Sequence, residues 1–477
     1  MFSLSIAKSG TETREDLFRR IFLVFFLISL GSLTGCSDAT SSTPTPLLGN
    51  PDSFFSEGFV PLSVPKVDWV ELGDPSVGKD LQYLLVLEEE RSSADLVTIE
   101  YWDMSPILAW NEKTRNWVAY YGLDPVVASR VYALISVAQY RSLNALNSLD
   151  VDRVERHPDQ LNTSLNPITI GVDPYEVAVL LGATQPVLSY SFPDSVNEIT
   201  AQVDEARRSL LITGNILPVD LQSAERFGKE IADGLIAERR DDGSADAGKP
   251  VDLPVGEGIW APDPFRIRPE KPGWQAVDPW LMESADQFRP QPPPGFGTPE
   301  FDAAVAEVRD AVNSNSPGDL EIVSKWADKR GTYTPPGHWN LIASNLVSEI
   351  GMPTKETSSL FTALNMALMD AGISCWDAKY HYLVVRPWQA DPSIPALAGY
   401  PNHPSYPSGH SCFSWAAATI LSHYFPQRKV EISAMAEEAS NSRLMGGLHY
   451  RMDMEAGKGI GEQVGRLAVE WAIRAVK

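Results

Sequence analysis

The sequence predicts an all-α fold, helix bundles joined by long Pro- and Gly-rich loops. Three observations carry that expectation. Helix-start signals recur, with Asp or Thr as the cap and proline at the first helical position. Several stretches place apolar residues at helical spacing. Strand signals are sparse across the 477 residues, and no internal repeat of fixed period is present.

Taken in order, residues 107–123 read as a helix ending at Gly122. Asp124-Pro125 opens VVASRVYALISVAQYRSL, Asp173-Pro174 opens YEVAVLLGA, and Thr298-Pro299 opens EFDAAVAEVRDAV. Residues 217–240, 339–350, 355–380, 412–424 and 455–476 also read as helices. In the last, Ile460, Val464, Leu467 and Trp471 recur at helical spacing and predict a stripe packed on the core. Residues 241–297 are rich in Pro, Gly and Trp and include QPPPGFG; so long a connection is expected to be functional or to wrap the surface.

Composition is globular, 43% apolar and 21% charged. A formal net charge of −23 excludes nucleic acid as a partner, since no basic patch is available to neutralise phosphates. Three cysteines, Cys36, Cys375 and Cys412, are too few for a disulfide scaffold. Near the N-terminus, two arginines precede the apolar run of RRIFLVFFLISLGSLTGCSD, the pattern of a secretory signal. The run is shorter than the ~20 apolar residues a spanning helix needs. Leu33-Thr34-Gly35-Cys36 resembles a bacterial lipobox, which implies cleavage before Cys36 and lipidation of its sulfur. The expected layout is a signal peptide over 1–35, a Ser/Thr/Pro-rich linker over 36–65 and a helical domain over 66–477. The expected location is extracytoplasmic, as a cell-envelope lipoprotein touching the membrane only through its lipid; which membrane is left open.

The chemistry gathers late in the chain. Five of the seven histidines lie between His381 and His449. Lys379 and Arg386 are seven apart; a helix persisting that far would set both cations on one face, about 20° out of register. Pro387 then holds Arg386 extended. The apolar and aromatic residues between them point to burial, and buried cations need an anionic partner. In YPSGHS, Ser408 and the Gly409 amide stand at a helix start and can hold an oxyanion; taken alone, the same residues read rather as a helix cap. His410 follows, with an imidazole suited to proton transfer. In SRLMGGLHYRMD, Arg443 adds a third cation, and Asp453 lies four residues after His449. A carboxylate at that spacing can fix the imidazole tautomer. Together these residues fit a tetrahedral oxyanion with one axial nitrogen and a proton donor opposite.

The order K-x6-RP, PSGH, SR-x5-H-x3-D resembles the signature shared by vanadium-dependent haloperoxidases and type 2 phosphatidic acid phosphatases. TPPGHWNLIA, ALMDAGISCWDAKYHY and WNEKTRNWVAYYGLDPVVA are similar to the soluble bacterial haloperoxidase branch. The resemblance implies two four-helix bundles with the anion site in the second, within residues 330–477. It implies that Lys379, Arg386, Ser408, the Gly409 amide and Arg443 hydrogen-bond the oxygens of vanadate. It further implies that His449 coordinates vanadium with Asp453 behind it, and that His410 handles the protons of hydrogen peroxide. Lys379 would also polarise the peroxide for attack by halide. His403, seven residues before His410, sits where the resemblance associates histidine with bromoperoxidases, so bromide or iodide is expected over chloride.

Phosphate is a near isostere of vanadate, and in an acid phosphatase using this site His449 becomes the nucleophile, forming a phosphohistidine. The length of the chain and the want of later apolar spans favour the peroxidase. A third reading, an anion-binding lipoprotein without catalysis, is disfavoured by the complete motif. An organic acceptor and the oligomeric state are left open.

Overall fold

The computed structural model describes residues 75–149, 165–168, 170–263 and 268–475. The signal peptide, the linker and Cys36 lie outside the described residues. Contacts divide the chain into Met1–Val60 and Pro61–Lys477, and every described residue belongs to the second unit.

Fifteen α-helices run through the described residues, in the order α1 (Pro75–Glu89), α2 (Ser93–Met104), α3 (Pro106–Tyr121), α4 (Pro125–Ser148), α5 (Pro174–Ser191), α6 (Val196–Ile212), α7 (Pro218–Arg239), α8 (Pro299–Asn313), α9 (Pro317–Lys325), α10 (Thr334–Ile350), α11 (Thr354–Tyr382), α12 (Pro387–Ala390), α13 (Gly409–Tyr424), α14 (Lys429–Met445) and α15 (Arg451–Ala475). No sheet forms among the described residues, and one isolated bridge joins Ile259 to Val384. None of these helices is long and apolar enough to cross a membrane.

The caps explain the boundaries. Asp124 accepts from Val127 N at 2.9 Å, Asp173 from Tyr175 N at 2.8 Å, and Thr298 from Phe301 N at 3.3 Å, each with proline at the first helical position. Gly122 closes α3 in the left-handed region, φ 56. Helix α5 runs past the expected apolar stretch and through Pro186. Its residues are buried nearly all round against α4 and α7, and that burial outweighs the one lost hydrogen bond. Helices α1, α2, α6, α9 and α14 fall outside the expected elements, although α6 buries Ile199, Val203, Ala206 and Leu210 at helical spacing.

Two sets of packed helices form the body. Helices α4, α5 and α7 pack on one another, as do α11, α13 and α15, with α14 laid mainly on α13, and α4 against α11 joins the sets. Within α11, every residue from Thr357 to Lys379 is buried. Helix α15 meets α13 along a glycine seam. A Cβ on Gly457 would lie 2.6 Å from Ser408 O, and one on Gly461 would lie 2.5 Å from Cys412 O. The seam holds the start of α13 in place. Gly457→Ala is therefore expected to destabilise the protein. Overpacking of about 1–3 kcal/mol exceeds the helix-propensity gain of at most about 1 kcal/mol. Thermal unfolding and oxyanion affinity should fall together.

The 241–297 connection does wrap the surface, and two carboxylates of α11 pin it. Asp370 accepts from Trp280 N at 2.8 Å, Leu281 N at 2.7 Å and Met282 N at 3.1 Å. One heptad on, Asp377 takes Arg289 in a two-pronged pair at 2.6 and 2.7 Å. Burial lifts the Asp370 carboxyl from 3.8 to about 6. A carboxyl raised on folding stabilises the fold fully below its unfolded value and loses that contribution as pH rises through the folded one. Between about pH 4 and pH 6.5 the wild type should lose on the order of 1–3 kcal/mol more stability than Asp370→Asn, read from denaturant midpoints.

Candidate active site

The late motifs meet at one cleft of about 260 Å³. His403, Gly409, His410, Arg443 and His449 line it, with Trp376 of α11 between them. The cleft is not confined to residues 330–477, since Pro125, Glu270, Ala327, Asp328 and Lys329 also form its wall. The cause is tertiary: Trp376 Nε1 and Tyr380 Oη donate to Glu270 O at 3.1 and 2.8 Å and draw the connection over the second set of helices.

Lys379 and Arg386 do not share a helix. Helix α11 stops at Tyr382, and Leu383 turns left-handed, φ 51, with its N–H closing on Lys379 O at 2.9 Å. Arg386 is extended before Pro387, which starts α12 instead of only ending α11. The reversed segment is held by Trp260 N donating to Leu383 O at 2.7 Å and Ser405 N to Val384 O at 3.0 Å. Val384, Val385, Tyr406, Tyr450 and Phe301 form a separate apolar cluster that carries these loops.

Lys379 stands behind the wall. Its ammonium donates to Pro404 O and Ser405 O, each at 2.8 Å, and to Pro407 O. All three of its protons are thus taken by the 404–407 turn. Burial, aided by Arg386, lowers the ammonium to about 8. Arg386 uses four of its five donors: Nε to His403 O at 3.0 Å, Nη1 to Leu448 O at 2.7 Å and His449 Nε2 at 3.1 Å, and Nη2 to His403 Nδ1 at 3.0 Å. Arg443 donates from Nε to Ser442 Oγ at 2.9 Å and from Nη2 to Val323 O at 3.4 Å. Burial lowers both guanidiniums to about 10. None of the three cations has an ion pair among the described residues; neutral acceptors alone hold them. The expected anionic partner is not a side chain of the described residues, and the site has room in charge for a bound anion.

His449 lies just before α15, and Asp453 lies in its first turn. The carboxylate can only accept, so Nδ1–H donates to Asp453 Oδ2 at 2.8 Å and Nε2 keeps its lone pair, which Arg386 presently meets. Burial, then Arg386 and Lys379, push the imidazole well below its ordinary value, so it is neutral. Burial also raises Asp453 to about 6, against donors from Ser405 Oγ at 2.5 Å and Tyr450 N at 3.1 Å.

Ser408 acts as the N-cap of α13: its Oγ accepts from Ser411 N at 3.4 Å, and its own N–H donates to Asp453 O at 2.8 Å. The amides of Gly409 and His410 open the helix and have no intrahelical acceptor. His410 is hydrogen-bonded to the Trp326 backbone, and burial followed by Arg443 pushes it well below its ordinary value. Its Nε2 is buried without a partner. His403 packs on Trp376 at 4.9 Å between ring centres. Its Nδ1 faces both Arg386 Nη2 at 3.0 Å and Pro404 O at 3.3 Å. A guanidinium only donates, so Nδ1 accepts, the proton sits on Nε2, and the Pro404 contact is not a hydrogen bond.

Sequence reasoning missed Glu270, Asp328 and Trp376 as wall residues. Glu270 and Asp328 lie outside any motif and reach the cleft through loop packing. Cys375 and Cys412 are buried free thiols.

The donor set fits a tetrahedral oxyanion such as vanadate or phosphate: an unpartnered imidazole nitrogen, free helix-start amides, and buried cations lacking an anion.

A structure titled as the first bacterial vanadium-dependent iodoperoxidase superposes with TM-score 0.62 at 25% identity, covering 77% of this chain and 96% of that one. A bacterial vanadium-dependent chloroperoxidase shares the fold, with TM-score 0.56 at 16% identity over 74% of this chain and 93% of that one. By sequence, a non-specific acid phosphatase of Providencia stuartii is 27% identical over 124 residues, 24% of this chain and 50% of that protein. An acid phosphatase of Zymomonas mobilis is 25% identical over 173 residues, 35% of this chain and 62% of that protein. The chain thus spans about half the length of the first of these phosphatases, 50%. Residues 359–477, which contain every motif residue from Lys379 to Asp453, form a PAP2 superfamily domain.

Proposed function

We propose that this protein is a vanadate-dependent haloperoxidase that oxidises halide with hydrogen peroxide to hypohalous acid, favouring bromide or iodide. The observation that carries the reading is extent. Likeness in fold to the iodoperoxidase runs through 77% of this chain and 96% of that one, whereas the acid phosphatases of Zymomonas mobilis and Providencia stuartii are matched by sequence alone, over 35% and 24% of this chain.

Vanadate, when bound, supplies an electrophilic centre that activates peroxide toward halide. His449 Nε2 would offer the lone pair that holds it, with Arg386 Nη1 released from that nitrogen to serve the oxyanion. Arg443, Ser408 and the Gly409 amide would donate to its oxygens, and Lys379 would contribute positive charge from behind the wall. Asp453 keeps the His449 tautomer. His410 Nε2 accepts a proton from peroxide and returns it to the departing oxygen. In sum, halide, peroxide and one proton give hypohalous acid and water.

A second reading is favoured by the sequence relatives that are acid phosphatases. Here His449 Nε2 attacks phosphorus and His410 protonates the leaving alcohol. Ester hydrolysis by vanadate-free protein separates the readings. The peroxidase reading expects slow turnover there and fast halogenation after vanadate is added; efficient ester turnover with no halogenation overturns it.

His403 bears on halide choice through its place on the cleft wall. His403→Phe removes the acceptor of Arg386 Nη2. It is expected to change the bromide-to-iodide ratio of kcat/KM by about tenfold, a hydrogen bond to a charged group. The envelope-lipoprotein reading also stands as a proposal: Cys36→Ser should abolish incorporation of labelled fatty acid and release the protein from membranes.

A further inference from the structure

A groove of about 700 Å³ runs between α2, α3, α10 and the start of α11, and Arg115 lines it. Arg115 is 5% exposed. Nη1 donates to Asn111 Oδ1 at 2.6 Å and Ser344 Oγ at 3.1 Å, and Nε is buried with no partner. Its guanidinium faces the Tyr333 ring at 5.6 Å. No ion pair compensates the charge among the described residues.

The other buried arginines show what is unusual. Arg115, Arg130, Arg239, Arg386 and Arg443 are the buried arginines of the described residues. Arg130 and Arg239 share Asp242, at 2.7 and 3.7 Å. Arg386 and Arg443 belong to the oxyanion cleft. Among them Arg115 alone lacks both a carboxylate at ion-pair distance and a place in that cleft; Glu112, three residues earlier on α3, acts on it only from farther off. A buried cation served only by neutral groups is costly, and a carboxylate placed against it relieves that cost.

The rest of the groove limits what carries the carboxylate. Asp103, Glu112, Asp173 and Glu176 line it, against one further cation, Lys355. Asp103 accepts from Gly171 N at 2.7 Å, Asp173 caps α5, and Glu112 accepts from Tyr101 Oη at 3.1 Å. Those bonds to neutral donors leave the negative charge of Asp103, Glu112 and Asp173 uncancelled, so the groove repels a multiply charged anion and attracts an ammonium.

We propose that Arg115 anchors a second binding site, for a small zwitterion of the amino-acid class, with the carboxylate on Arg115 and the ammonium toward the acidic side chains. The site is separate from the oxyanion cleft and does not depend on the reaction proposed there.

Calorimetric titration of the full chain with glycine, β-alanine and γ-aminobutyrate tests it, with acetate, ethylamine and phosphate as controls. At least one amino acid should bind saturably at one per chain, about tenfold tighter than acetate or ethylamine. Arg115→Met should weaken that binding at least about tenfold. Asn345→Trp, at an exposed position on the groove wall, should do the same and leaves the buried network untouched, so it decides the matter if Arg115→Met fails to fold. No saturable binding up to about 50 mM, tighter binding of phosphate, or unchanged affinity in Asn345→Trp each overturns the proposal.

Discussion

His449→Ala is expected to lower vanadate affinity by more than about 100-fold, because loss of an outer partner of a metal ligand alone costs 10–100-fold and this change removes the ligand itself. Halogenation disappears with it. The fold should survive, since Asp453 keeps its bonds from Ser405 Oγ and Tyr450 N and α15 remains seated on α13. Arg386 Nη1 retains Leu448 O as an acceptor. Calorimetric titration with orthovanadate reads the affinity, and far-UV circular dichroism checks the helices. Affinity within about threefold of wild type would contradict the role given to Nε2.

His410→Ala should separate binding from turnover. His410 Nε2 has no partner among the described residues, so its removal disturbs little of the donor set around the oxyanion. Vanadate affinity is expected within about tenfold of wild type, while kcat falls by about 10²–10⁴, the usual contribution of general acid–base catalysis. The pH–rate profile should change as well. In the ligand-free protein, burial and Arg443 hold His410 well below its ordinary value. An anion between Arg443 and His410 offsets that repulsion and raises the imidazole toward the working range. The acidic limb of the wild-type profile should therefore be missing in the variant. Equal loss of vanadate affinity in the His410 and His449 variants would contradict the division of roles.

The local parts of this structure were legible in the sequence because they are written in short-range chemistry. Asp124-Pro125, Asp173-Pro174 and Thr298-Pro299 mark helix starts through one side-chain oxygen and one missing N–H. The spacing from His449 to Asp453 sufficed to predict a carboxylate behind an imidazole, although the helix begins at Arg451 and the pair meets across its first turn. What was not legible depends on chain reversal. Leu383 turns left-handed without being glycine or asparagine, so nothing local shows that Lys379 and Arg386 come from different segments. The bond from Arg386 to His403 was equally hidden, since it exists only because that reversal folds residue 386 back onto residue 403. The glycines at 457, 461 and 465 become a seam only once α13 lies against them, which no local pattern shows. Arg115 lies within a stretch read for family likeness, and its unpaired state shows only when its neighbours are in place.

We propose that the cleft bounded by His410, Arg443 and His449 holds vanadate as its working group. The most direct test adds orthovanadate stepwise to the purified, vanadate-free protein and follows bromination and iodination of a phenolic indicator with hydrogen peroxide. Halogenation should rise with bound vanadate, saturate at one equivalent per chain and be suppressed by excess phosphate. Saturable vanadate binding without halogenation of either halide, alongside efficient phosphate-ester hydrolysis, would contradict it.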